Sequence, residues 1–245
     1  MIQQNKLLFT GGGGLLGSEI KKLWPKALYP SMSEFDVRNL KQIQGYLKKH
    51  KPEIIVHAAA FTSPPIAEKN PVEALETNVV GTANLAKLCF TLGIKMVYIC
   101  TDYVFSGRRG NYKEDDEVFP VNKYAWSKLG GECAVRMLND FLIIRTSFGP
   151  KVFAYPKAFV DHFTSRESVE VVAGKIKRVV EAGIKGVIHL GHKRRSVYAY
   201  AKSLDAKKEI GKVSIKDVDF TVPSDTSLNT SRYNKLFKVK KNASK

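Results

Sequence analysis

Hydrophobic residues along this chain fall into two alternating patterns. Short unbroken runs predict buried strands, and positions spaced three or four apart predict helices. Leu7-Leu8-Phe9, within Lys6 to Thr10, is a first strand. Leu15, Leu16, Ile20 and Leu23 then recur at helical spacing until Pro25 stops them. Ala27-Leu28-Tyr29 reads as a brief second strand ended by Pro30, and Val37, Leu40, Ile43 and Leu47 line one face of a second helix. Ile54-Ile55-Val56 is a third strand. Asn70-Pro71-Val72-Glu73 combines a cap, a first-turn proline and an acid that can reach back, so it predicts a helix running to Leu92. Met96 to Thr101 is a fourth strand, followed by a polar loop from Asp102 to Pro120 and a helix over Asn122 to Leu138. Phe141 to Arg145 is a fifth strand. Beyond it come a helix near Val169 to Ala182, a strand at Val187 to Leu190 and a helix near Val197 to Leu204.

Strands that alternate with helices predict an α/β protein whose parallel sheet is covered on both faces. The 245 residues, 44% hydrophobic and 26% charged, suffice for one such domain with a small appendage. Three cysteines without Cys-x-x-Cys spacing indicate neither a disulfide framework nor a zinc site, and no metal is expected. No run of about 20 apolar residues is present, and the apolar N-terminal stretch is too short for a signal peptide. A cytoplasmic protein without a membrane partner is the expectation. The net charge of +17 favours anionic partners, but the lysines are scattered, which suits phosphate-bearing small molecules better than nucleic acid.

The candidate chemistry begins at Thr10-Gly-Gly-Gly-Gly-Leu-Leu-Gly17, between the first strand and the first helix. Glycines there let backbone N–H groups approach a pyrophosphate, which a helix N-terminus also favours. Gly12, Gly14 and Gly17 fit one dinucleotide spacing, and Gly11, Gly14 and Gly17 fit another. Leu15 and Leu16 open the helix beside the phosphates. At the tip of the second strand, Tyr29-Pro30-Ser31-Met32-Ser33 lacks the acid that usually holds the ribose of NAD. Ser31 and Ser33 could bond a 2′-phosphate, so NADP(H) is preferred and NAD(H) remains open. Asp36 and Val37 are candidate adenine contacts.

Tyr124 and Lys128 lie one helical turn apart, on one face of the predicted helix that follows the fourth strand. A phenol titrating near pH ~10 needs help to act as an acid or base near neutrality, and an adjacent ammonium would lower it. Thr101, at the end of the fourth strand, can donate a hydrogen bond to a carbonyl oxygen. A second match to the same spacing, Tyr198 and Lys202, follows the last strand and reads as ordinary helix.

Taken together, these motifs resemble the dTDP-4-dehydrorhamnose reductase family of extended short-chain dehydrogenases/reductases. The resemblance rests on the glycine turn, His57-Ala58-Ala59-Ala60, Asn78-Val79-Val80-Gly81-Thr82, Cys100-Thr101-Asp102-Tyr103-Val104-Phe105, Tyr124-Ala125-Trp126-Ser127-Lys128 with Gly131-Glu132, and Arg145-Thr146-Ser147-Phe148. It implies a Rossmann-like, doubly wound sheet. It also implies NAD(P)H-dependent reduction of the C4 ketone of a nucleotide-linked 4-keto-6-deoxyhexose. Tyr124 would be the proton donor, Lys128 the ribose anchor, and Thr101 the donor to the carbonyl. Ala58, Ala59, Ala60 and Asn78 would line the cofactor. Ala60, Phe61, Tyr103 and Phe105 would be walls of the substrate pocket or else core, and Asp102 and Phe148 join them as substrate candidates. Related dehydratases carry glutamate where this chain has Tyr103.

The resemblance covers Lys6 to Gly149 well and the remainder weakly. Asp161 to Glu167 stands where the family has Asp-Gln-x-Gly-x-Pro-Thr, with His162 in place of glutamine, after a shortened gap. His162 and Arg166 there are candidate ligands for a diphosphate. Pro223 to Asn229 stands where a late arginine-proline signature is expected. The expected organisation is thus a cofactor-binding and catalytic core over 1–150, a trimmed substrate-binding part over 151–239 and a tail over 240–245. A homodimer partner could close the shortened pocket. The alternatives are a non-catalytic NADP-binding regulatory subunit and a sugar-nucleotide epimerase.

Overall fold

A computed structural model describes residues 2–238; the predicted tail over 240–245 lies outside them. β1 (Leu7–Thr10) leads through the glycine turn into α1 (Leu15–Leu23). The predicted second strand is reduced to one parallel bridge between Leu8 and Leu28, because Pro30 and the turn after it end the pairing. The next helix, α2 (Leu40–His50), begins later than expected, at Asn39, whose side chain accepts from the Gln42 N–H. β2 (Ile54–His57) follows, then α3 (Pro64–Lys69), a helix not predicted from the sequence. The helix predicted over 70–92 is broken into α4 (Val72–Ala74), a π-helical turn over Leu75–Val80, and α5 (Gly81–Leu92).

β3 (Lys95–Thr101), α6 (Lys123–Arg136) and β4 (Phe141–Thr146) carry the second half of the core. Short strands β5 (Phe148–Gly149), β6 (Lys157–Phe159), β7 (Phe163–Thr164) and β8 (Glu167–Ser168) then lead to α7 (Val169–Glu181) and β9 (Gly186–Leu190). After them come β10 (Arg195–Ser196), α8 (Val197–Leu204), β11 (Gly211–Val213) and α9 (Ser231–Leu236).

The main sheet runs β1-β2-β3-β4-β9, and every neighbouring pair is parallel. Its strands are largely apolar and buried because both faces are covered. On β3, Met96, Tyr98 and Cys100 pack against the face formed by α2, α5 and α6, while Val97 and Ile99 pack against α1 and α7. A smaller cluster of Phe153, Ala158, Val197, Tyr200, Ala201 and Ile210 supports the short strands near the C-terminus. All five main strands point their C-terminal ends the same way, which sets the glycine turn, Thr101 and Thr146 along one edge. In open parallel sheets, this edge is where ligands bind. Among the described residues, no helix is long and apolar enough to cross a membrane.

Candidate active site

The glycine turn takes the Gly11-x-x-Gly14-x-x-Gly17 spacing. Gly11 has φ +80°, a left-handed conformation suited to glycine, and its N–H-accepting carbonyl receives the Gly14 N–H at 3.0 Å. Gly17 has no room for a side chain, since an added Cβ would lie 2.5 Å from the Gly11 carbonyl oxygen. Gly14 caps α1 without any side-chain hydrogen bond, so the first N–H groups of the helix are not taken up by a capping side chain. This turn, with its backbone bare and a helix dipole behind it, fits a pyrophosphate.

Thr10, the last residue of β1, fastens the turn to β2. Its Oγ1 accepts from the N–H groups of Ala58 and Ala59 at 3.2 and 3.1 Å and lies 2.8 Å from His57 Nδ1. The other ring nitrogen of His57 lies 3.1 Å from Thr82 Oγ1. His57 is buried, and desolvation, helped by the Lys128 charge, lowers its pKa to about 3. It is a neutral crosslink under the Ala58–Ala60 backbone.

Asn78, an expected cofactor contact, has a different position. It sits buried in the π-helical turn, and its Nδ2 donates to the Phe61 carbonyl at 3.0 Å and to Ser127 Oγ at 2.8 Å. Its Oδ1 accepts the Phe61 N–H at 2.9 Å. The amide therefore braces the Ala60-Phe61 loop against α6. A π-turn at a site is a recurrent way to re-aim such a side chain.

Near the Leu28 bridge, Ser31 Oγ lies 2.9 Å from Ser33 Oγ and donates to Glu34 at 2.8 Å, while the Ser31 N–H also bonds Glu34 at 2.9 Å. An acid thus folds back onto the two serines expected to hold a 2′-phosphate, although the sequence places Glu34 beyond Pro30. The expected adenine contacts separate as well. Asp36 is paired with Arg38 at 2.7 Å, and Val37 is core, packed against Gly81.

Of the three catalytic candidates, Thr101 and Tyr124 meet at the end of β3, and Lys128 lies one helical turn further along α6. Asn122 caps α6 by accepting the Ala125 N–H at 2.9 Å and donates to the Thr221 carbonyl at 3.0 Å, tying the helix start to the C-terminal segment. Within α6, Glu132 is fully buried and binds Arg145 of β4 at 2.6 Å and Arg136 at 2.9 Å. Burial pushes this carboxyl up, but the two guanidinium groups hold it below the ordinary range. This pairing locks the helix against the sheet.

Lys128 is only 3% exposed, and its Nζ lies 4.2 Å from the centre of the Tyr98 ring. Among the described residues, that Nζ makes no hydrogen bond. Burial lowers its pKa to about 8, against smaller opposing effects of Cys100 and Glu132.

The Tyr124 phenol does not behave as the spacing suggests. Burial and Cys100 raise its pKa, Asp102 adds to this, the Thr101 hydroxyl works the other way, and Lys128 is not among the groups that shift it. The expected lowering by the ammonium is replaced by a firmly protonated phenol. Thr101 Oγ1 donates to Asp102 at 3.3 Å and accepts the Tyr103 N–H at 3.2 Å.

The substrate candidates divide into two groups. Asp102 is 1% exposed, and its Oδ2 accepts from Thr164 at 2.6 Å and Thr226 at 2.8 Å, so it knots three segments together instead of facing a pocket. Phe105 is core, stacked on Tyr112 with ring centres 4.3 Å apart. Phe61 and Phe148 are half-buried, the latter against the core that α1 and α7 cover.

Tyr103 meets Tyr124 edge to face at 6.4 Å, and its hydroxyl lies 3.1 Å from His162 Nε2. Arg166 is half-buried beside the Tyr200 ring at 5.5 Å. Its charge acts on Asp102, Tyr103 and His162, and its Nε is buried with no partner among the described residues. The same is true of Thr146 Oγ1, which the sequence marks only as one member of the Arg145–Phe148 motif; the register of β3 and β4 sets it beside Thr101.

Tyr198 and Lys202 behave as ordinary helix residues. Lys202 Nζ spends its donors on the carbonyls of Ala206 and Lys208 beyond the end of α8.

Comparison with known proteins agrees with the fold. Residues 5–218 match the family model described as RmlD substrate binding domain. The chain is 34% identical over 180 residues to dTDP-4-dehydrorhamnose reductase of Aggregatibacter actinomycetemcomitans, covering 70% of this chain and 61% of that protein's length. It is 27% identical to methionine adenosyltransferase 2 subunit beta of Rattus norvegicus, covering 82% of this chain and 71% of that one. Among solved structures, dTDP-4-dehydrorhamnose reductase from Bacillus anthracis in complex with NADP superposes with a TM-score of 0.85 at 27% identity, covering 93% of this chain and 92% of that one. With a parallel sheet of this topology and a family match across most of its length, the chain belongs to the dTDP-4-dehydrorhamnose reductase family.

Proposed function

We propose that this protein reduces the C4 ketone of a nucleotide-linked 4-keto-6-deoxyhexose using NAD(P)H. What supports the reading is the Thr101 hydroxyl beside the Tyr124 phenol at the C-terminal edge of the sheet, with Lys128 one helical turn along α6 and the bare Gly11–Gly17 turn on the same edge. A bound NAD(P)H would supply the hydride. The remaining work falls to the chain. Tyr124, held protonated by burial, gives its proton to the developing alkoxide. Thr101 turns its hydroxyl from a long bond with Asp102 toward the carbonyl oxygen. Lys128, without an acceptor of its own, offers its donors to the hydroxyls of the cofactor ribose. Arg166, with a donor to spare, draws the diphosphate of the substrate. Thr146 offers a hydroxyl beside the same edge. In this reading residues 1–150 hold the cofactor and the reacting groups, and the part over 151–239 covers the sugar.

NADP(H) is the cofactor expected from the two serines, whereas Glu34 on those serines favours NAD(H). Incubation with a panel of nucleotide-linked 4-keto-6-deoxyhexoses and either cofactor, with NMR identification of the product, tests the reading: a C4 alcohol supports it. The named similarity to subunit beta of methionine adenosyltransferase 2 favours a second reading, a regulatory subunit that binds the dinucleotide without turnover. Tight cofactor binding with no alcohol formed from any member of the panel selects that alternative.

A further inference from the structure

The hydrogen bonds around His162 have a fixed direction. Its Nδ1 lies 2.7 Å from the Pro223 carbonyl, which can only accept, so Nδ1 carries the ring proton. The ring is buried at 3% exposure, and burial together with the Arg166 charge keeps it neutral, with its pKa lowered to about 4. A neutral ring protonated on Nδ1 has a bare Nε2. That nitrogen must accept from the Tyr103 hydroxyl 3.1 Å away. Tyr103 thereby commits its only proton to His162, and its oxygen has only lone pairs left to offer.

We propose that Tyr103, held in this polarity by His162, reads a substrate hydroxyl next to the reacting carbonyl by accepting its hydrogen bond. The proposal rests on the ketosugar reductase reading, and chemistry then names the hydroxyl. In a 4-keto-6-deoxyhexose the carbons flanking the ketone are C3, which bears a hydroxyl, and C5, which bears only the methyl branch and the ring oxygen. The Tyr103 ring meets the ring of Tyr124 edge to face at 6.4 Å, and on the reductase reading that makes it a neighbour of the proton donor at the reacting end of the sugar. Tyr103 is therefore a specificity-determining residue for the C3 hydroxyl, and His162 is a positioning residue that acts through it.

Glutamine is the informative replacement for His162. Its amide nitrogen can donate to the Pro223 carbonyl while its oxygen accepts from Tyr103, which preserves the polarity. Leucine preserves neither bond. The experiment compares kcat and KM for the nucleotide-linked 4-keto-6-deoxyhexose and its 3-deoxy analogue in the unaltered chain, His162→Gln, His162→Leu and Tyr103→Phe. The unaltered chain and His162→Gln are expected to prefer the 3-hydroxy substrate by about tenfold or more in kcat/KM, as fits one buried hydrogen bond. The preference is expected to collapse in Tyr103→Phe and in His162→Leu. Nitrogen NMR of the histidine-labelled chain is expected to show His162 protonated on Nδ1, and this readout needs neither turnover nor a variant that folds.

A ring protonated on Nε2, or an undiminished preference in Tyr103→Phe, overturns the proposal and leaves the reductase reading standing. No turnover by the unaltered chain on any ketosugar overturns the reductase reading, and the assignment of the C3 hydroxyl falls with it even if the tautomer is as stated.

Discussion

The Asp102 carboxylate and the Thr226 hydroxyl, 124 positions apart in the chain, meet at 2.8 Å in the interior. Thr164 reaches the same oxygen at 2.6 Å. The end of β3, the short strand β7 and the C-terminal segment are thus joined through one acidic side chain directly after Thr101. Asp102→Ala leaves two buried hydroxyls without their acceptor and is expected to cost about 1–3 kcal/mol. Asp102→Asn, which keeps one oxygen, is expected to cost less. Urea unfolding of the two variants checks the order.

Acid should unfold this protein steeply. His57, His162 and His189 are buried and neutral, with pKa values lowered by desolvation from 6.5 to about 3, 4 and 3. Folded values below the unfolded one mean that the unfolded chain binds protons first as pH drops. Their stabilisation is therefore complete above pH 6.5 and is lost as pH falls toward 4. Three such groups give a slope of about 4 kcal/mol per pH unit below pH ~6. Denaturant titrations at successive pH values should show it, and replacing His189 by Gln should lower the slope by about a third.

Lys128 should trade stability for function. A fall in its pKa from 10.5 to about 8 corresponds to roughly 3 kcal/mol of cost for holding the ammonium inside the fold near neutral pH. The folded value lies below the unfolded one, so stability is expected to rise as pH climbs from 8 toward 10.5. Lys128→Met should raise the melting temperature at pH 7 and remove that rise, while turnover is lost. A variant that melts lower than the parent would show that the ammonium has a stabilising partner.

How much of this was legible in the sequence depends on whether the signal was local. The apolar runs of β1, β2, β3 and β4, the helical spacing in α1 and α6, and the glycine turn each declare themselves within a dozen residues, and all are present. The register of the turn was left open because Gly12 and Gly11 each satisfy a dinucleotide spacing; the positive φ of Gly11 and the bond of its carbonyl with the Gly14 N–H distinguish Gly11. Phe105 and Val37 looked like site residues because motif position does not reveal burial. Asp102 and Asn78 were misplaced for a related reason. Their partners lie far off in the chain, at Thr164 and Thr226 for one and at Phe61 and Ser127 for the other. The pKa of Tyr124 was judged from helical neighbours alone, whereas burial dominates it. Glu34 lies past Pro30 in the sequence, outside the tip of the second strand, yet a turn of three residues returns its carboxylate to Ser31.

That turn gives a prediction about the cofactor. With Glu34 on Ser31, a 2′-phosphate at the serines would meet a carboxylate. Glu34→Gln removes the charge and keeps an acceptor for the Ser31 N–H. It is expected to shift the ratio of NADPH to NADH affinity by about tenfold toward NADPH, equivalent to about 1.4 kcal/mol. Paired titrations with the two cofactors check this, and an unchanged ratio would place the ribose away from this turn.

On the reductase reading, the Tyr124 phenol supplies the proton in reduction of a ketosugar. The direct test is the rate of NAD(P)H oxidation by the unaltered chain and by Tyr124→Phe, on a nucleotide-linked 4-keto-6-deoxyhexose at saturating cofactor. Turnover is expected in the parent, with a loss of at least about 100-fold in kcat in the variant and cofactor affinity kept. Equal rates in the two proteins would contradict it.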